Sequence, residues 1–497
     1  MEKKNLGAIF GAVKSAGVKT ASALKGLLAE SDAKATAGNE CLTARQRLEA
    51  LFDEGTFMEN GTFVRRFDSE DAFEGVICGW GAVSGSLVFA FCQDYSRSKG
   101  ALTAAHADKI AEIYRLAIEN GAPVVGIFDS AGALIPEGAK VLAGYSKIMK
   151  SVSMASGVIP QIAVIPGICS GSAAVIAGMF DFVVISEKNG KVSFNAPFAV
   201  DSEAVGSAAF AANSGLASLT AKNDAECILK TKVLLSFLPM NNMEGTVEVS
   251  NSDNANRPCD ISAYLSGGDT AELVRAIADN GKYFELNSSY AREMTVGFLS
   301  LNGTVCGVVA NRKSEKDGVL TAAAARKASR MITFCDSFDI PVITIIDSEG
   351  PDVSAEAEAS PYAAELAKLS FAYATAKCPL VTVIAGEAYG AVFSVMGTKA
   401  LGADVVLALE NAKIGVMKAE RAVAFLWNDK ISDKVSRSDL EAAWNETQGS
   451  PVAAASVGEV DDIIEASELR QRVAASVMML SAKSKSVPSR RHANMPL

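Results

Sequence analysis

Gly167, Gly171 and Ser172 stand where "GICSGSAAVIAG" (167–178) passes from an apolar run into a helical one. A turn of small residues entering a helix leaves its first N–H groups without intrahelical acceptors, aimed at one spot where the helix dipole favours negative charge. Such paired amides suit a developing enolate or another oxyanion. Close packing of strand against helix would select the same small residues. Side chains offer little competition. The chain has two histidines, His106 and His492, so His-based acid–base chemistry, a Ser–His hydrolase and a His-rich metal site are disfavoured. "GICSG" also places its serine one position late for a nucleophile elbow. No metal is expected.

A second turn of this kind occurs because the chain repeats itself. Residues 85–132 align without a gap on 303–350, 218 residues downstream, with 15 of 48 positions identical. The shared positions include Gly100/Gly318, Thr103/Thr321, Pro123/Pro341 and Asp129-Ser130/Asp347-Ser348. Alanine-rich helices imitate one another, but they do not reproduce matching Gly, Pro and Asp. Farther on, Gly171 faces Gly390 of "AYGAVFSVMG". Two copies of one domain are expected, parted near 245–262, where the polar run "EGTVEVSNSDNANRP" reads as a linker or loop.

The elements that must hold these turns follow one grammar in both copies. "PVVGIFD", "QIAVIPG" and "DFVVIS", then "PVITIID", "LVTVIAG" and "DVVLAL", are short apolar runs suited to strands buried on both faces. Helical stretches such as "AAHADKIAEIYRLAIENG" separate them, which implies βαβ crossovers and a mainly parallel sheet.

Composition narrows the function. A chain of 497 residues exceeds one ordinary core. Its net charge of −10 argues against nucleic-acid binding. Nine scattered cysteines without a CxxC pair fit a reducing cytoplasm. No run of 18 apolar residues would span a membrane. Residues 1–40 form an amphipathic leader, with Leu6, Ile9, Phe10, Val13, Leu24, Leu27 and Leu28 at helical spacing and Lys14, Lys19 and Lys25 among them. It could lie on a membrane, dock on a partner or cover its own core. "VMKA" (416–419) has the Met-Lys of a biotin attachment site, but it follows a buried run of the repeat and reads as structural.

Over residues 42–497 the chain resembles the carboxyltransferase subunits of biotin-dependent acyl-CoA carboxylases and decarboxylases, the propionyl-CoA carboxylase beta and methylmalonyl-CoA decarboxylase alpha family. The resemblance rests on "LTARQRLEALFDEGTFME", "DSAGALIPEG", "LAGYSKIM", "ASGVIPQIAVIPGICSGSAAVIAGMFDFVV", "LLSFLPMNN", "DNGKYFELNSSYAREMTVGFLSLNG", "KALGADVVLAL", "GEVDDIIEASELR" and "SRRHANMPL". It implies an α/β fold, a tandem duplication of two crotonase (ClpP)-like domains: an acyl-CoA-binding half at 41–255 and a biotin-binding half at 256–497. It implies an active site where the first half of one subunit faces the second half of another, in a homodimer or a hexamer built as a trimer of dimers. The first-half turn would hold the acyl-CoA enolate through Gly171 and Ser172, with Ala131, Gly132 and Ala133 lining the substrate. The second-half turn would hold the ureido oxygen of biotin through Ala391 and Val392, with Gly390 shaping the turn and Ser394 at an acyl-selecting position.

The implied reaction moves CO2 between carboxybiotin and the α-carbon of a short acyl-CoA, in an acyl-CoA carboxylase or a sodium-pumping decarboxylase. The biotin would come on a partner, a biotin carrier protein or biotin carboxylase subunit, with a membrane sodium-pump subunit as a further partner. The expected location is cytoplasmic, or peripheral at the inner face of the membrane. Two rivals stay open. One is a non-catalytic or assembly subunit, because the family's paired glycines here read Gly171-Ser172 and Gly390-Ala391. The other is a crotonase-type hydratase, isomerase or hydrolase, which needs a carboxylate or His near Gly171.

Overall fold

The structure, a computed structural model, describes residues 25–30, 41–66, 73–195, 199–200, 202, 204–486, 488–489 and 494–495. Of the leader only 25–30 is described, as helix; the rest of 1–40, and His492, lie outside the described residues.

Two sheets divide the chain. The first holds β1 (Met58–Asn60), β2 (Val76–Val83), β3 (Ser86–Gln93), β4 (Val124–Ile127), β5 (Gln161–Ile165), β7 (Phe182–Ser186) and β9 (Leu219–Ala221), with β6 (Ile168–Ser170) and β8 (Lys191–Ser193) forming a separate pair. The second holds β10 (Tyr283–Leu286), β11 (Met294–Leu301), β12 (Thr304–Asn311), β13 (Val342–Ser348), β14 (Leu380–Tyr389), β15 (Val405–Leu409), β16 (Lys413–Gly415) and β17 (Asp462–Ile464). The strand orders β1-β2-β3-β4-β5-β7-β9 and β10-β11-β12-β13-β14-β15-β17 are the same path. An antiparallel hairpin leads each sheet and parallel strands follow. Strands β4, β5 and β7 are buried throughout, as their unbroken apolar runs require.

The duplication reaches single hydrogen bonds. Asp53 accepts the N–H groups of Ser84 and Gly85 at the first hairpin turn; Asp279 accepts those of Asn302 and Gly303 at the second. Lys109 donates to Val76 O and Lys327 to Met294 O, both pairs 218 positions apart. Thr103 caps the Ala104–Asn120 helix and Thr321 caps the Ala322–Ser337 helix through the N–H three residues on.

The halves share a core. Phe182 of β7 packs its ring 4.7 Å from Phe334 and 6.1 Å from Phe298, edge to face. Such contacts add about 0.5–1.5 kcal/mol each beyond area burial. The expected linker is partly structured: Glu248 bridges to Thr304 at the start of β12, with Val305 N donating to Val247 O at 3.0 Å.

Candidate functional site: two amide turns over two buried aspartates

Gly167, Gly171 and Ser172 do three different things. A Cβ on Gly167 would lie 2.0 Å from Asp129 Oδ1, so this glycine makes room for a carboxylate beneath the turn. Gly386 does the same in the second half, 2.2 Å from Asp347 Oδ1. Asp129 Oδ1 accepts the Ile168 N–H at 3.2 Å, and Asp347 Oδ1 accepts the Glu387 N–H at 2.9 Å. Each aspartate thereby grips the segment that leads into a turn.

Gly171 and Gly390 set the turns themselves. Their dihedrals, φ 61° ψ −132° and φ 57° ψ −129°, match within a few degrees and lie in a region that L side chains rarely adopt. Both precede helices, Ser172–Met179 and Ala391–Val395.

The expectation that Gly171 donates to the ligand is corrected here. Its N–H goes to Ser193 O at 2.9 Å, extending the β6–β8 pairing, and Gly390 N–H goes likewise to Gly415 O at 3.0 Å. At the turns, the amides left without acceptors among the described residues are those of Ser172 and Ala173 in the first half and of Ala391, Val392 and Phe393 in the second; Ala174, the counterpart of Phe393, donates to Gly171 O at 3.0 Å. Ser172 and Ala173 are equivalent to Ala391 and Val392, 219 residues apart. Of the residues expected as donors, Ser172, Ala391 and Val392 have free amides and Gly171 does not; Ala173 has one. A Cβ at Gly171 would meet nothing within 4 Å, and one at Gly390 only Val416 O at 3.3 Å, so both turns open on free space. Ser394 is exposed one turn into its helix, its hydroxyl donating to Gly390 O at 3.2 Å.

The expected substrate-lining run lies alongside. Ser130 bridges to Cys169 in parallel, which brings 130–133 beside β6. Ala131 N–H goes to Lys99 O and Gly132 N–H to Ser130 Oγ. Ala133 N–H has no acceptor among the described residues. In the second half Pro351 stands at its place and has no N–H.

The surroundings differ in charge. Exposed Val175 and Phe194 flank the first turn. Near the second, Lys313 Nζ sits 2.7 Å from Glu387 Oε2, while Lys418 Nζ lies 2.8 Å from Glu349 Oε1 and 3.6 Å from Glu387 Oε2. Lys418, the lysine of "VMKA", is thus held in the folded half, as expected. Two cavities, of about 450 and 630 Å³, lie elsewhere and include neither turn.

His106 is no base. It is fully buried, and burial with Lys109 nearby pushes its pKa down to about 3. Its Nε2 faces Gln93 Nε2 at 3.4 Å, and Gln93 Oε1 accepts the Asp129 N–H. No group of three or more His, Cys, Asp or Glu suited to a metal occurs among the described residues. None of their helices is long and apolar enough to cross a membrane.

Sequence reasoning missed the groups under the turns. Asp129 and Asp347 were visible as repeat markers only. Arg47 donates to Asp129 Oδ2 at 2.7 Å and to Asp224 Oδ2 at 3.0 Å, and Tyr264 OH donates to Asp347 Oδ2 at 2.6 Å. No local signal tied these residues together, since they lie more than 80 positions from the aspartates.

Residues 36–495 match the carboxyl transferase domain. The chain is 34% identical over 491 residues to the propionyl-CoA carboxylase beta chain of Roseobacter denitrificans, covering 93% of this chain and 94% of that one. It is 35% identical over 478 residues to the methylmalonyl-CoA decarboxylase subunit alpha of Veillonella parvula, covering 92% and 93%. Among solved structures it superposes on the transcarboxylase 12S hexamer with methylmalonyl-coenzyme A bound, with a TM-score of 0.90, 29% identity, and 96% and 98% coverage. The chain belongs to the carboxyl transferase family, as an acyl-CoA carboxyltransferase of the propionyl-CoA carboxylase and methylmalonyl-CoA decarboxylase kind.

Proposed function

We propose that residues 41–255 handle the acyl-CoA and residues 256–497 the biotin, and that CO2 passes between them across a subunit boundary. The observation that carries this reading is the pair of equivalent turns, each presenting at least two free amides over open space. When bound, biotin on a carrier subunit supplies or accepts the CO2 group. The residues present fit that role: Ala391 and Val392 offer two N–H groups to a ureido oxygen, as Ser172 and Ala173 do to a thioester oxygen. As the α-carbon gives up its carboxylate as CO2, the bonding pair stays behind and charge gathers on the thioester oxygen, where fixed donors are worth about 2.7–4 kcal/mol apiece.

The described residues near the first turn bring no free acid or base, since Asp129 is paired with Arg47 and His106 stays neutral. That disfavours a hydratase or hydrolase. The intact turn geometry disfavours a non-catalytic subunit. Exposed apolar Val175 and Phe194 by one turn, and Val353 and Val416 by the other, suit cover by a second copy. The solved transcarboxylase relative is a hexamer, which supports a trimer of dimers here. A decarboxylase role would add a membrane sodium-pump subunit and a place at the inner face of the membrane.

The test is CO2 transfer from malonyl-CoA or methylmalonyl-CoA to free biotin and to a biotinylated carrier domain. Ser172→Pro and Ala391→Pro each delete one amide at the first helical position, where proline is tolerated. Each should lower transfer about 10²–10³-fold with the fold retained. Absence of transfer by the natural chain over a panel of acyl-CoAs would remove the reading.

A further inference from the structure

The two turns are copies, but the groups that hold them are not. Asp53 and Asp279 fix the alignment of the halves, and counting back from them places Leu273 where the first half has Arg47. Leu273 is fully buried in the second core and cannot reach for a carboxylate. Asp347 instead takes its donor from Tyr264, on the separate short helix Ser262–Leu265. Lys313 Nζ stands a further 3.6 Å from its other oxygen. In the first half Arg47, its side chain 3% exposed, divides its guanidinium between Asp129 and Asp224. The path is short in both cases: donor to aspartate, aspartate to the N–H of Ile168 or Glu387, then three residues to Gly171 or Gly390.

We infer that Arg47 and Tyr264 are positioning residues, each setting one amide turn without the other, so that the acyl and biotin sides of the reaction are tuned separately. This rests on the division of labour proposed above. Asp129 and Asp347 each fill the gap a glycine leaves, and Arg47 or Tyr264 holds the oxygen turned away from the turn. A carboxylate in such a gap is fixed by its donors. Burial and the Asp347 carboxylate hold the Tyr264 phenol protonated far above its usual range, so it stays a donor across the working pH.

The experiment uses the full-length chain and three variants: Tyr264→Phe, Arg47→Lys and Tyr373→Phe. The last removes a buried hydroxyl of the second half, 2.9 Å from Thr344 Oγ1, that leads to neither turn. Amide hydrogen exchange by mass spectrometry reads positions 384–392 and 165–173 separately. Tyr264→Phe should speed exchange roughly fivefold at 384–392 and leave 165–173 unchanged; Arg47→Lys should do the reverse. In steady-state assays Tyr264→Phe should raise KM for free biotin about tenfold and leave KM for the acyl-CoA within about twofold. Equal loosening of both segments, or the same pattern in Tyr373→Phe, overturns the inference. A natural chain that transfers no CO2 defeats the division of labour instead, and the exchange measurement still decides whether each residue sets its own turn.

Discussion

Gly167→Ala puts the steric reading of the first turn to a direct test. The added Cβ would lie 2.0 Å from Asp129 Oδ1, 2.3 Å from Cγ and 2.7 Å from Oδ2, so the whole carboxylate blocks it. To restore an ordinary contact the carboxylate must retreat by more than about 1 Å. Arg47 Nη1 holds Oδ2 at 2.7 Å, and the Ile168 N–H holds Oδ1 at 3.2 Å. Losing the charge-assisted bond costs about 1.5–3 kcal/mol, and overpacking adds about 1–3 kcal/mol. The total, roughly 2.5–6 kcal/mol, is large against the usual margin of about 5–15 kcal/mol. Gly386→Ala should cost a similar amount, from its 2.2 Å approach to Asp347. The control is Gly178→Ala inside the Ser172–Met179 helix, where a Cβ would meet only Leu216 Cδ1 at 3.5 Å. Alanine's helix preference predicts a gain of about 0.5–1 kcal/mol there. Urea unfolding at fixed subunit concentration, followed by fluorescence of Trp80, Trp427 and Trp444, reads all three. A Gly167→Ala midpoint equal to the natural chain's would refute the idea that glycine is required to admit the carboxylate.

Gly171→Ala is a different kind of change: space is free, but φ 61° with ψ −132° is strained for alanine by about 1–3 kcal/mol. Its turn should relax and carry the Ser172 and Ala173 amides with it, so CO2 transfer should fall more than the urea midpoint does; a loss of stability with full transfer would contradict this. Asp181 is almost wholly buried, and burial raises its pKa from the ordinary 3.8 to about 7. The folded value exceeds the unfolded one, so the stability carried by the protonated form is complete below about pH 4 and lost as pH rises to about 7. Asp181→Asn, which still offers an oxygen to the Gln161 N–H, should flatten urea stability over that window; parallel curves for both chains would count against it.

Much of the scaffold was legible because apolar runs and a repeat are local properties. "PVVGIFD" became β4 and "DFVVIS" became β7, since a strand buried on both faces needs an unbroken apolar run. The 218-residue offset survived down to Lys109 and Lys327. What stayed hidden depends on register and distance. The Gly171 N–H was read as free because sequence shows a small residue before a helix, not that β6 pairs with β8 and draws that amide into the ladder. Gly167 looked like one more turn residue because the side chain that requires it, Asp129, lies 38 positions earlier. The run at 245–262 looked like plain linker because its polar residues conceal a backbone bridge to β12.

The two halves also differ in a way that bears on what each can hold. The first two helical amides recur at both turns and could fix an oxygen, but they do not select its owner, because any carbonyl or ureido oxygen accepts from two N–H groups. Selection must then come from what surrounds the turns. The first is flanked by Val175 and Phe194, which suit an acyl chain, and Ala133 N–H stands nearby. The second has exposed Val416 in the place of Phe194, but it is also bordered by Lys313, Glu387, Lys418 and Glu349, and Pro351 removes the donor equivalent to Ala133. Charged groups held in pairs keep donors and acceptors fixed, which suits a polar ring. On the proposed division of labour, duplication supplied one device for holding charge on oxygen twice, and the divergence of side chains around it would assign one copy to a thioester and the other to a polar heterocycle.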